Sequence, residues 1–209
     1  MADAIKSERI LAVEGKDEKN FFEALLKYLN IEGCEIRDVG GKYKFKKNLK
    51  GLTKTTGFKR LRYIAIIRDA DESADSAFQS IVNILKELKL PTPAKMNQFT
   101  TASPTDGMPA VGIYIMPGNS ETGMLEDLCL KTVYDNPALK CVERFIDCCS
   151  TTLSEQPKIV AKAKAQAFLS AMPDIVKSVG EGAAKGYWNF ESDVLTDLKD
   201  FLQNLKLTM

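Results

Sequence analysis

Histidine is absent from the 209 residues of this chain. That absence excludes every mechanism that rests on an imidazole: a Ser/His or Cys/His nucleophile pair, a His-ligated zinc, a His general base. Any catalysis must run on carboxylates, lysine, tyrosine, cysteine or a metal ion. CxxC spacing is also missing. The five cysteines, Cys34, Cys129, Cys141, Cys148 and Cys149, are odd in number and scattered, which argues against a zinc cage and a disulfide framework and leaves buried, reduced thiols as the expectation. No run approaches the roughly 20 apolar residues of a membrane span, and Met1 to Arg9 is too polar for a signal peptide, so the expected compartment is the cytoplasm with no membrane partner. Charge of one sign is lacking too: 29 Lys plus Arg face 28 Asp plus Glu, so a nucleic-acid surface, if present, has to be local.

What the chain does have is 44% hydrophobic residues, enough for an ordinary core at the size of one generous domain. Ile10 to Val13 reads as a strand ending at Glu14-Gly15, and Asp17 to Leu29 as a helix with Phe21, Phe22, Leu25, Leu26 and Leu29 on one face. Cys34 to Val39 is a second strand, closing on Gly40-Gly41, and Tyr43 to Leu52 a lysine-rich helix. Tyr63 to Ile67 is an unbroken apolar strand of the type buried on both faces of a parallel sheet, followed by a helix from Ala77 to Leu88. Pro91 to Pro109 reads as a loop, and Val111 to Met116 as a fourth strand. This alternation predicts an α/β fold, a parallel sheet of about four strands flanked by helices. Beyond Met124 only helices follow, at Met124 to Val133, Leu139 to Cys149, Lys158 to Met172 and Val194 to Leu205, with a turn-rich Gly180 to Asn189. The expected organisation is an α/β domain over 1–133 and a helical C-terminal extension over 134–209, across a soft boundary that also permits one domain.

Ligands of open parallel sheets bind beyond the carboxyl ends of the strands. Glu14 ends the first strand, Asp69 and Asp71 the third, and the fourth leads to Glu121, Glu126 and Asp127. Any one of these acids could be a helix cap or a turn residue. Gathered at one edge they would repel one another unless a cation lay between them, and a hard divalent ion prefers carboxylates, water and phosphate oxygens. The cluster therefore predicts a metal site for phosphate chemistry. Lys42, Lys44, Lys46, Lys47 and Lys50 could follow a nucleic-acid backbone, with Lys59, Arg60 and Arg62 on the same side. A solvated helix face is the competing reading, which the neutral chain favours. Lys162 and Lys164 read as surface lysines within conceivable reach of the acids. Trp188, beside Tyr187 and Phe190, reads as a core plug rather than a base-stacking platform.

Three segments, Val13-Glu14-Gly15-Lys16-Asp17-Glu18, Gly40-Gly41-Lys42 and Arg68-Asp69-Ala70-Asp71, occur in this order, each at the end of a predicted strand. They resemble the Toprim fold of topoisomerases, bacterial primases, ribonuclease M five and the OLD nucleases. Within that group the chain is most similar to the DUF3226 family, and Gly186-Tyr187-Trp188-Asn189-Phe190 is similar to that family's C-terminal segment. The resemblance implies that Glu14, Asp69 and Asp71 are catalytic and that Glu14, Glu18, Asp69, Asp71 and Glu126 hold Mg²⁺ or Mn²⁺. Of the lysines, Lys42, Lys44 and Lys47 are the expected nucleic-acid contacts. Ser73 stands where topoisomerases carry a further acid, and the modules of a topoisomerase or primase are missing. The implied function is therefore metal-dependent phosphodiester hydrolysis of DNA or RNA, as in an OLD-like nuclease. A non-catalytic metal-binding module working through a protein partner such as an ATPase is the alternative, and the oligomeric state stays open, a homodimer included.

Overall fold

The computed structural model describes residues 4–41, 43–101 and 107–206. The elements run β1 (Arg9–Val13), α1 (Lys16–Tyr28), β2 (Glu35–Asp38), α2 (Phe45–Thr53), a 3-10 turn (Phe58–Arg60), β3 (Tyr63–Asp69), α3 (Ala74–Glu87), β4 (Gln98–Phe99) and β5 (Ala110–Met116). Then come α4 (Leu125–Thr132), α5 (Pro137–Leu153), α6 (Val160–Ser170), α7 (Val179–Ala184), a second 3-10 turn (Asp193–Leu195) and α8 (Thr196–Gln203). The five strands form one sheet in the order β2-β1-β3-β5-β4; the first four are parallel and β4 is antiparallel to β5. This is the mixed α/β architecture expected from the strand–helix alternation, with one strand more.

Continuous apolar composition in β1, β3 and β5 follows from burial on both faces, since successive side chains feed opposite cores. Leu11, Val13, Ala65, Ile67, Tyr114 and Met116 face one core, covered by α1 and α4 to α8. Ile10, Ala12, Ile64, Ile66, Ile113 and Ile115 face the other, covered by α2 and α3. The helices after residue 133 thus pack on the sheet itself, in one hydrophobic cluster with α1. Trp188 lies in that cluster as expected, stacked on Phe168 at 5.3 Å, with its indole N–H donating to the Val179 carbonyl at 2.8 Å.

Three expectations are corrected. The stretch 91–109 contains β4: Phe99 pairs across from Gly112, where a side chain would meet the Phe99 ring at 2.6 Å, and stacks on Phe201 at 4.9 Å. A distant aromatic and a missing Cβ hold the edge strand, and neither is visible in local pattern. The turn-rich Gly180 to Asn189 begins inside α7, whose Gly180 lies so close to α1 that a Cβ would sit 2.5 Å from the Asp17 carbonyl oxygen. Glycine here permits helix contact rather than a turn. Of the cysteines only Cys129 is buried; Cys141 and Cys148 are exposed on α5, because Leu139, Val142 and Ile146 form that helix's inward face. Among the described residues no helix is long and apolar enough to cross a membrane.

Candidate metal centre

β1 and β3 are adjacent and parallel, so Glu14, one residue past β1, and Asp69, the last residue of β3, emerge side by side at the carboxyl edge. Asp71 follows in a left-handed conformation (φ 52°) that Asp tolerates better than most residues. Its backbone is fastened to Gly123 by two hydrogen bonds of 2.9 and 2.8 Å, which draws the segment between β5 and α4 over the site. Asp69 Oδ1 accepts from the Leu125 amide at 3.0 Å, so the first turn of α4, with Glu126, is docked on the end of β3. Glu18 is in the first turn of α1, its carboxylate folded back across Gly15. Because α1 starts at Lys16, Glu14 and Glu18 are related by the turn rather than by helical spacing.

The five acids share one electrostatic field. Burial pushes the Asp69 carboxyl well above its usual range, and Glu14, Glu18, Glu126 and Asp71 push it further. Glu14 is raised from 4.5 to about 7 by burial, against the opposing pull of Arg68 and with help from Asp71 and Glu18. Glu18 is raised chiefly by burial, with contributions from Asp17 and Glu126. Two cations answer them: Arg68 Nε lies 2.8 Å from Glu14 Oε1, and Lys162 Nζ lies 3.5 Å from Glu126 Oε1. Five carboxylates against two cations leave three uncompensated when all are ionised. Among the described residues no three acidic or thiol side chains are spaced to close on a metal ion as they stand. In chemistry the donor set nonetheless fits a hard divalent cation, being all oxygen, anionic and mutually repelling. Binding such a cation would return the raised carboxyls to their ionised form.

Other residues fall into place around this centre. Lys42 lies outside the described residues. Lys44, just before α2, and Lys47, on it, are exposed, and Lys44 shares with Glu14 and Gly41 the lining of a cavity of about 550 Å³. Lys46 is taken up by Glu87 at 2.6 Å. Lys59, Arg60 and Arg62 do not join that side, because they precede β3 and lie a strand length, roughly 20 Å, from its acidic end. Asp127 accepts from the Met124 amide at 2.9 Å, and Glu121 pairs with Lys131, so both serve local structure. Ser73, in place of a further acid, caps α3 by accepting from the Ser76 amide at 3.2 Å.

A family model described as "Protein of unknown function (DUF3226)" matches residues 8–207, nearly the whole chain. The chain belongs to the DUF3226 family. No curated protein matches it. Among solved structures, this DUF3226 chain is similar to the C-terminal region of the Burkholderia pseudomallei OLD protein, with a TM-score of 0.52 at 13% identity, over 96% of this chain and 100% of the other. It is also similar to the C-terminal region of the Xanthomonas campestris pv. campestris OLD protein, in a form phased with iodine, with a TM-score of 0.46 at 14% identity over 96% of each chain. At such identity the first likeness speaks for the fold.

Sequence reasoning gave no role to Arg68, and read Lys162 as a surface lysine that could reach the acids, both of which hold: it is exposed and pairs with Glu126. The signal for Arg68 was present: it is a charged residue at an inward position of an otherwise apolar strand, and such positions are occupied by charge only when paired. Lys162 carries no comparable signal, since only the docking of α6 against α4 brings it to Glu126.

Proposed function

We propose that this DUF3226 chain is a Toprim-fold, metal-dependent nucleic-acid phosphodiester hydrolase of the OLD-like kind. The observation that carries the reading is the convergence of Glu14, Glu18, Asp69, Asp71 and Glu126 in one field centred on half-buried Asp69, at the carboxyl edge of a parallel sheet. These five residues would hold Mg²⁺ or Mn²⁺. When bound, such ions neutralise phosphodiester charge and supply an activated water at neutral pH. The chain's own groups bind and orient the strand: Lys44 and Lys47 contact the backbone from α2, and Lys162 Nζ offers a proton-bearing cation beside Glu126. Glu14, Asp69 and Asp71 are the catalytic acids of this reading.

A second reading has a specific observation in its favour. The similar solved structure is one region of a larger OLD protein, which suits a non-catalytic, metal-binding module that works through a protein partner such as an ATPase.

Divalent-ion titration of plasmid, single-stranded DNA and RNA cleavage separates the two, run beside Asp69→Asn and Glu14→Gln. The hydrolase reading requires cleavage that needs Mg²⁺ or Mn²⁺ and disappears in both variants. It also requires a Tm that rises with the ion in the wild type and stays flat in Asp69→Asn. Absence of cleavage on every substrate, with loss of a partner complex in the variants, gives the module reading.

A further inference from the structure

A cavity of about 730 Å³ adjoins the acids on the α3 side; Arg68, Asp71, Glu72, Ser76, Ser80 and Lys158 are among the residues that line it. Arg68 is the decisive one. Alternation along β3 turns it toward α2 and α3, away from Asp69, and only 3% of its side chain is exposed. A guanidinium carries five N–H donors in a rigid fork. Among the described residues, the buried Nε meets Glu14 at 2.8 Å as an ion pair without hydrogen-bond alignment, and Nη1 has one long contact to Ser80 Oγ at 3.4 Å. The Phe45 ring, 5.9 Å from Cζ, covers one side of the group and offers no acceptor. A buried guanidinium whose five donors outnumber its protein acceptors can receive a further acceptor from the cavity.

We propose that this cavity is a subsite for a phosphate oxyanion, and that its occupant is the backbone phosphate next to the one presented to the acids. A tetrahedral oxyanion matches the guanidinium fork by bidentate contact. The hydroxyls of Ser76 and Ser80 add donors, and Lys158 adds a second cation at the rim. The start of α3, a 14-residue helix capped by Ser73, contributes a favourable dipole. Asp71 belongs to both this wall and the acid cluster, so a strand crossing the acids has its next phosphate at the cavity mouth. The identity of the phosphate as nucleic-acid backbone rests on the hydrolase reading; the oxyanion site itself does not.

The test uses calorimetric titration with inorganic phosphate, and fluorescence anisotropy with a labelled short single strand in EDTA at several salt concentrations. Arg68→Lys keeps the charge but loses the fork. Because a buried substitution can fail to fold, Ser80→Ala/Lys158→Ala is run in parallel, with Lys27→Ala at the far end of α1 as control. The expected result is a phosphate affinity about tenfold lower in the double variant. For the strand, the salt dependence should flatten by about one unit of slope per cation removed. Phosphate binding equal to wild type in both variants overturns the subsite. Phosphate binding that depends on these residues, with no strand binding at all, overturns the backbone occupant in favour of free phosphate. Strand binding through the cavity without cleavage under any divalent ion keeps the subsite and rejects the hydrolase.

Discussion

Two buried arginines, at opposite ends of neighbouring strands, are treated differently by the fold. Arg9 opens β1 at the amino edge of the sheet, 6% exposed, and donates to the carbonyls of Glu32, at 2.7 Å, and Leu205. Those bonds tie the first strand to the turn after α1 and to the end of α8. Arg68, at the carboxyl edge, has a misaligned ion pair and one long contact. The amino edge is closed by matched hydrogen bonds, and the carboxyl edge gathers five carboxylates against two paired cations. Consistency at one edge and unmet polarity at the other is the pattern expected when stability and function are placed apart.

Asp69→Asn breaks this comparison hardest. Cleavage should fall by at least about a hundredfold, because the substitution weakens the hold on the metal ion that would neutralise the reacting phosphate. Stability at pH 8 should rise at the same time, since a carboxyl whose folded pKa is raised opposes folding once ionised. Kinetics and a thermal melt on one sample check both; a fall in Tm would place Asp69 in the stability edge instead.

Next in size is Arg9→Met, expected to destabilise by about 3 kcal/mol with unchanged cleavage per folded molecule, because the Glu32 and Leu205 carbonyls lose a charged donor. Chemical denaturation with a matched activity assay measures it. A loss of specific activity at full folding would erase the contrast between the edges.

Smaller still is the effect of Lys44→Ala/Lys47→Ala. Nucleic-acid affinity should drop, and the slope of log K against log salt should flatten by up to about two units, one per phosphate contact, with Tm unchanged. Anisotropy at three or more salt concentrations gives the slope, and an unchanged slope would return α2 to the status of a solvated face.

The smallest effect expected is in pH dependence. Glu14 has a folded pKa of about 7 against 4.5 ordinarily. Its contribution to stability is therefore fully present below pH 4.5 and is lost as pH rises through about 7. Glu14→Gln should remove that part of the decline in Tm between these values. Melting curves across the window test it, and an identical slope in the two proteins would show that Glu14 does not titrate there.

Legibility in the sequence differed with the range of the interactions. β1, β3 and β5 were readable because two-sided burial writes itself as an apolar run, and α1 and α3 because their buried faces recur at helical spacing. The five acids were readable because each follows a strand or opens a helix, positions that chain direction already assigns to one edge. Phe99 and Gly180 were not readable in their roles, since each depends on one partner far along the chain, Gly112 and Asp17 respectively. The pairing of Lys162 was left open for the same reason, and Arg68 was passed over although its strand position was visible.

By itself the sequence determined the classes of chemistry open to this protein and the edge where they would occur. No imidazole is available, and carboxylates stand at the strand ends, both consequences of residue identity and strand polarity alone. Tertiary structure decided what the acids face. The order β2-β1-β3-β5-β4 set Glu14 beside Asp69, the docking of α4 and α6 brought Glu126 and Lys162 together, and the packing of α3 enclosed Arg68 beside a cavity. Those outcomes depend on which surfaces meet, and burial acts on the assembled whole rather than on any local stretch of chain.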